Sequence, residues 1–159
     1  DVVFEETKMS NISEALVKND GIFNFVTEYY YKNPNLGTTI PVISDADFAE
    51  FKAFLKREKF SFDTETELAL KKTLAAAKKE KLDASIANEY QQLLSALQKS
   101  EENMLNQNQK EIKNLILDEI IKRYQYKEGL YLYYTKNNLE IKKAIGILNN
   151  EMEYKKILN

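Results

Sequence analysis

The chain has 159 residues, a net charge of −2 from 23 basic and 25 acidic side chains, and 43% hydrophobic residues. This balance predicts one globular domain, and the interleaved charges argue against nucleic acid as a partner. The absence of cysteine and histidine excludes disulfides, thiolate or imidazole metal ligands, and imidazole catalysis. With four glycines and two prolines, the composition favours helices over a turn-rich β-sandwich or barrel.

The N-terminal part of the sequence predicts an extended segment, two helices and a linker. Residues 1–4 are β-branched and aromatic, as at a strand end. Ser10 or Asn11 can cap a first helix, and a second helix follows until the composition changes. Residues 33–43 hold both prolines and one glycine, so we predict that they form the linker.

A third helix is predicted after the linker. Ser44 and Asp47 have the spacing of a capping box, with aspartate in place of the usual glutamate. Three aromatic side chains then recur at helical spacing on one stripe, at Phe48, Phe51 and Phe54. We interpret the stripe as core, because phenylalanine at this spacing is more often packing than a cofactor-binding face, which is the alternative.

Two further helices are predicted between residues 64 and 100. Thr64 and Glu67 have the spacing of a capping box, and the basic run 78–81 suits the negative end of the helix that they open. A partner-binding patch is the alternative interpretation of that run. From Asp83 another helix aligns apolar side chains on one face, at Ile86, Tyr90, Leu93, Leu94 and Leu97.

The densest apolar pattern with helical spacing lies near residues 110–129 and predicts a long central helix, roughly 101–128. Ile116 and Ile120 lie one turn apart on its apolar face. We expect them to be covered by the phenylalanine helix and by Ile145 and Leu148. The other helices would therefore pack around this segment.

The C-terminal part of the sequence predicts two short helices. Gly129 either lies within the central helix, at a cost of about 1 kcal/mol relative to alanine, or permits close packing there. Asn138 can cap a helix over 139–148, and Asn150 can cap a last turn or two. The predicted fold class is all-α, with about seven helices.

The sequence gives little support for catalysis or metal binding. Asp118 and Glu119 could form a carboxylate pair for acid–base work or metal binding, but adjacent helix positions diverge by about 100° and Glu119 can pair with Arg123. Catalysis by a serine and a lysine needs no histidine, yet every serine has the context of a cap, a linker or a helix surface. We therefore predict no catalytic residue, no cofactor and no metal site.

Ten tyrosines are present, and most of them fall near residues 29–31 and 124–134. Because the tyrosine ring is amphipathic, such clusters often line contact surfaces. We interpret them as a protein-contact surface, with carbohydrate stacking as the alternative.

The order of several segments resembles the helical C-terminal region of bacterial S41-family peptidases, the carboxyl-terminal processing or tail-specific proteases. The segments that carry this resemblance are residues 43–48, 51–52, 62, 64–67, 119–124, 126–129, 141–145, 148–149 and 154–158. Residues 1–4 resemble the last strand of the protease domain. The resemblance implies three regions: a strand end and linker (1–10), a helical pair with its linker (11–43), and a helical C-terminal domain (44–159).

The resemblance also implies a function. The family's catalytic serine and lysine match nothing in this chain, so the implied role is non-catalytic: to scaffold the protease domain, guide protein substrates or mediate oligomers. The implied partners are the upstream protease and PDZ domains, protein substrates and a second copy of the chain, in a periplasmic or envelope location. The sequence itself has no run of about eighteen apolar residues, so we expect no membrane span. The alternative function is an independent helical adaptor that binds another protein.

Overall fold

The computed structural model describes residues 8–62 and 64–158, so the predictions for residues 1–4 lie outside the described residues. The described ranges contain no strand, and the all-α prediction is confirmed. None of their helices is long and apolar enough to cross a bilayer. The helices are α1 (Asn11–Lys18), α2 (Gly21–Lys32), α3 (Asp45–Arg57), α4 (Glu65–Glu80), α5 (Ala87–Gln107), α6 (Gln109–Asn137), α7 (Leu139–Asn149) and α8 (Glu151–Leu158).

Side-chain caps open several of these helices, as the sequence predicts. Ser10 precedes α1 and caps it. Ser44 and Asp47 form a complete capping box at α3, in which each side chain bonds the backbone N–H of the other residue, at 3.2 and 2.8 Å. Asn138 accepts a hydrogen bond from the Ile141 N–H at 2.9 Å and opens α7. Each of these bonds satisfies an N–H group that has no partner within its helix.

One buried apolar cluster joins α1, α2, α3, α5 and α6. The phenylalanine stripe of α3 lies in it, which confirms its interpretation as core. Phe51 is fully buried, and its ring packs edge-on against Phe25 of α2 with centroids 5.0 Å apart. Ile116 and Ile120 of α6 belong to the same cluster. The cluster contains residues from both sides of position 43. The proposed boundary between the helical pair (11–43) and the helical C-terminal domain (44–159) stays a prediction.

The long central helix is present as α6, but its bounds differ from the predicted 101–128. Residues 101–107 end α5, and Asn108 separates the two helices. The Asn108 side chain donates a hydrogen bond to the Met104 carbonyl oxygen at 2.8 Å. Because this amide competes for a carbonyl of the last turn of α5, it favours a break at that point.

The chain folds back within α6, at Tyr126. The backbone of Tyr126 has φ 61° and ψ −166°, far from helical values. The Tyr134 hydroxyl donates a hydrogen bond to the Asp118 carboxylate. In a straight helix these two residues would be about 24 Å apart along the axis, so the bond requires the first half of α6 (109–125) and the second half (127–137) to lie side by side.

Gly129 makes this close approach possible, and its replacement by alanine is expected to be destabilising. An added Cβ would lie 2.2 Å from the Gln125 Cβ, an atom too near the backbone to move freely. We expect Gly129→Ala to lower the free energy of unfolding by about 1–3 kcal/mol, measured by urea denaturation.

Gly146 provides the matched control, because a Cβ there would meet nothing within 4 Å. Gly146→Ala lies inside α7 and is expected to raise stability by about 0.5–1 kcal/mol, since alanine loses less backbone entropy on folding. If both alanine variants gain stability, the fold-back does not need a glycine.

The prediction that Ile145 and Leu148 cover the core face of α6 is wrong. Ile145 is 45% exposed and Leu148 66% exposed, and neither α7 nor α8 carries a buried residue among the described ones. α7 packs against α6 and α8. The direction in which α7 leaves α6 depends on the fold-back at Tyr126, which helical periodicity does not encode.

Candidate functional site

An open groove of about 840 Å³ lies between the C-terminal part of α3, the segment 58–62, α4 and α5. Its volume is within the range typical of ligand-binding clefts. Apolar side chains form its floor: Leu55, Phe60, Phe62, Leu94, Leu97 and Leu105. The phenylalanines of the floor pack edge-on, with ring centroids 5.2 Å apart.

Charged side chains surround the apolar floor. Three are glutamates, Glu67, Glu101 and Glu102. Five are lysines, at Lys52, Lys56, Lys59, Lys71 and Lys99. Such a border keeps an apolar groove hydrated while leaving it able to take up apolar groups.

A polar network closes the end of the groove at the start of α4. Thr64 caps α4, as predicted, by accepting a hydrogen bond from the Glu67 N–H at 3.2 Å, but among the described residues the Glu67 side chain does not complete the predicted capping box. The Glu67 carboxylate accepts from the Ser61 hydroxyl at 2.9 Å and pairs with Lys71 at 3.0 Å. Its other oxygen, Oε2, is buried without a hydrogen-bond partner among the described residues.

The structure brings a serine and a lysine together, which the sequence reasoning missed. The Lys71 Nζ donates to the Ser61 Oγ at 3.0 Å. The Lys71 side chain is 50% exposed and ion-paired with Glu67, so its ammonium group is stabilised in the charged form. A lysine can act as a base toward serine when burial favours its neutral form. The exposed, ion-paired Lys71 lacks such an environment, so we assign Ser61 and Lys71 to the cap network of α4.

The spacing of residues around the start of α4 already indicates part of this polar network. Once Thr64 is taken as the cap, Glu67 and Lys71 fall four residues apart on one face of α4, and Ser61 comes just before the helix. What the sequence did not contain was the path of residues 58–62, which turns the Ser61 hydroxyl toward that face.

Glu101 of α5 faces the same network. Burial, and then the nearby charge of Glu67, raise the pKa of the Glu101 carboxyl, while Lys71 opposes the shift. The folded protein therefore holds the Glu101 proton to a higher pH than the unfolded chain does.

This raised pKa predicts a pH-dependent effect of Glu101→Gln. As the pH rises from about 4, near the unfolded value, through the raised folded value, the native state must ionise a partly buried carboxyl and loses stability. The variant avoids this loss. Its advantage over the wild type in thermal melts is expected to be small at about pH 3 and to grow toward about pH 7. Glu102→Gln, at the next residue, serves as the control, and an equal pH-dependent gain there would contradict the assignment.

Asp118 and Glu119, considered above as a carboxylate pair, bind different partners. Asp118 accepts from the Tyr134 hydroxyl; burial raises the pKa of the Asp118 carboxyl and this hydrogen bond opposes the rise. Glu119 pairs with Lys122 at 2.6 Å and, as predicted, with Arg123 at 3.7 Å. Within residues 8–62 and 64–158, no group of three or more acidic side chains could hold a metal ion.

Residues that carry part of the family resemblance tie α6 to α2 and the linker. The Arg123 side chain donates to the Thr27 hydroxyl at 3.1 Å. The Tyr124 hydroxyl donates to the Asn33 carbonyl oxygen at 2.6 Å, at the start of the linker. Nearby, Gln125 donates to the backbone of the same linker. This segment therefore fixes the fold rather than a reaction centre.

The tyrosines divide between packing and surface. The rings of Tyr30 and Tyr124 pack between α2 and α6, with ring centroids 4.9 Å apart. Tyr31, Tyr126 and Tyr131 are exposed. Their interpretation as a protein-contact surface stays a prediction.

The described residues form eight helices with an open groove between α3, α4 and α5, and this arrangement defines an all-helical domain. The family model described as "Probable PDZ-protease, C-terminal helical domain" matches residues 12–148, and the chain belongs to this family. It is therefore a non-catalytic, protease-associated domain, in agreement with the resemblance in the sequence. No match was found among curated proteins or solved structures.

Proposed function

We propose that this chain is the C-terminal helical domain of an S41-type serine protease and that it scaffolds the protease domain of the same polypeptide. The observation that supports scaffolding is the exposed apolar surface of α6 to α8. Its most exposed members include Leu132, Leu139, Leu148 and Met152, of which Leu139 is 77% and Met152 83% exposed.

Large apolar side chains left this exposed on three consecutive helices favour a contact site. The family description supplies the partner, because a C-terminal helical domain of a protease follows other domains in its polypeptide. Side-chain charges on α7 and α8 include both signs, at Lys143, Glu153 and Lys155, so apolar contact rather than charge would drive docking. Protein substrates, self-association and an envelope location are further parts of the proposal.

The first experiment separates catalysis from scaffolding. The isolated chain is incubated with an unfolded protein substrate beside the longer polypeptide that contains it. We expect cleavage only by the longer polypeptide, with loss of activity when its upstream serine or lysine is replaced. Cleavage by the isolated chain that disappears on Ser61→Ala or Lys71→Ala would refute the proposal. Cell fractionation of the longer polypeptide tests the envelope location.

The second experiment tests the docking surface in the longer polypeptide. Leu139→Glu with Leu148→Glu is expected to lower the melting temperature of the protease domain, because charge in an apolar contact is poorly tolerated. The isolated domain should melt unchanged, since both side chains are exposed. Leu93→Glu, at a 49% exposed leucine of α5, is the control. If the double variant and the control melt alike, α7 does not form the contact. Light scattering of the same samples tests self-association.

A further inference from the structure

Two of the three glutamates in the groove are neutralised by lysines of the same groove. Glu67 pairs with Lys71 at 3.0 Å, and Glu102 pairs with Lys56 at 3.5 Å. Each pair is neutral, so together they contribute no net charge to the groove.

The remaining charges of the groove are mainly positive. Lys52 donates to the neutral amide oxygen of Asn106 at 2.8 Å. The ammonium groups of Lys59 and Lys99 have no ion-pair or hydrogen-bond partner in the part of the chain that the structure describes. Glu101 is the remaining carboxylate among the described residues that line the groove. The groove is therefore positive in a chain whose net charge is −2.

The groove also offers hydrogen-bonding groups of the kind that a polypeptide backbone uses. Ser95 and Gln98 of α5 line it, and their side chains have no hydrogen-bond partner among the described residues. A hydroxyl and an amide can each donate to a carbonyl oxygen and accept from an N–H group. Leu94 and Leu97, on the same helix, can take up apolar side chains between them.

We propose that this groove binds a protein segment whose apolar side chains are flanked by carboxylates. The inference rests on the proposed function and deepens it by naming the stretches of a protein substrate that the domain would hold. The open shape and the polar groups of α5 favour a peptide over a fatty acyl chain. The glutamates and the net negative charge of the chain disfavour a nucleic acid.

The test measures peptide binding to the full chain by fluorescence anisotropy. The probe is the fluorescein-labelled peptide Ser-Glu-Glu-Leu-Phe-Glu-Leu-Glu-Ser, at about 50 mM salt so that charges act over roughly 10 Å or more. We expect saturable binding. A peptide with lysine in place of every glutamate, and one with serine in place of its leucines and phenylalanine, should each bind at least about tenfold more weakly.

Charge variants locate the site. Lys59→Glu with Lys99→Glu should weaken binding of the acidic peptide about tenfold, equal to about 1.4 kcal/mol. Both positions are exposed, so folding should be retained and is checked by circular dichroism. Lys127→Glu, at an exposed lysine outside the groove, should leave binding unchanged.

A matched pair of leucines tests the apolar contribution. Leu94→Ser should weaken binding severalfold, whereas Leu93→Ser, at the neighbouring residue that does not line the groove, should not.

Three results would overturn the proposal: no saturable binding of the acidic peptide, equal binding of the lysine peptide, or tighter binding of oleate than of the acidic peptide. None of them would affect the cleavage and docking experiments above, so failure of this inference is distinguishable from failure of the proposed function.

Discussion

Replacing Phe51 with alanine is expected to lower the free energy of unfolding by about 3–5 kcal/mol, measured by chemical denaturation. The ring is fully buried and packs against Phe25 and Phe48. Its removal would leave a cavity at the junction of α2 and α3, in addition to the lost burial of apolar surface. Against a typical total of about 5–15 kcal/mol, the variant would be largely unfolded in mild denaturant.

Phe23→Ala is the control for this change, because the same atoms are removed from a ring that is 48% exposed. That ring lies 4.5 Å from the Arg123 guanidinium carbon, a contact worth about 0.5–1 kcal/mol. We expect a total loss of about 1 kcal/mol. Equal losses for the two variants would mean that the phenylalanines of α2 and α3 do not form the centre of the core.

Replacing Ile120 with alanine is expected to cost about 2–5 kcal/mol, measured in the same way. Ile120 is 1% exposed and belongs to the buried cluster. The first half of α6 packs along α2, so the surrounding side chains can collapse only partly onto the vacated space. The cost combines the transfer of the removed atoms with the cavity left behind.

Two controls accompany Ile120→Ala. Lys122→Ala removes an exposed lysine and its ion pair with the partly buried Glu119, which keeps Arg123 as a second partner, and should change stability by about 0.5 kcal/mol or less. Leu148→Ala removes an apolar side chain that the sequence predicted to cover Ile120 and that the structure leaves exposed, so it too should cost about 0.5 kcal/mol or less. A loss at Leu148 as large as that at Ile120 would restore the predicted packing of α7 on the core.

Several helix starts and most of the core could be predicted because they depend on short-range chemistry. Ser44 and Asp47 satisfy N–H groups within one turn, and the same is true of Asn138 at α7. The spacing of Phe48, Phe51 and Phe54 defines a face of α3 whatever lies opposite. These local signals agree with the tertiary packing, and so the prediction was correct.

The bounds of α6 were harder to predict because the signals there compete. Residues 101–107 have a helical pattern that continues into α6, and only the Asn108 side chain, bonded to the Met104 carbonyl, marks the break. At Tyr126 no glycine or proline announces a turn. The positive φ is maintained by contacts on either side of it, including the bond between Tyr134 and Asp118.

The groove is another feature that local sequence signals do not predict. Ser61 and Lys71 are ordinary residues at a helix start, and Lys59 and Lys99 are ordinary surface lysines forty residues apart. They become one positively charged apolar groove only when α4 and α5 pack together beside the end of α3.

By itself, the sequence determined the all-helical class, the caps at Ser44, Thr64 and Asn138, and the aromatic face of α3, because each depends on atoms within one or two turns. It also contained the segments by which the family is recognised. Only the tertiary structure decided the fold-back at Tyr126, the exposure of α7 and α8, and the groove between α3, α4 and α5. Those features depend on contacts between residues far apart in the chain, and helical periodicity states which face is apolar but not which neighbour covers it.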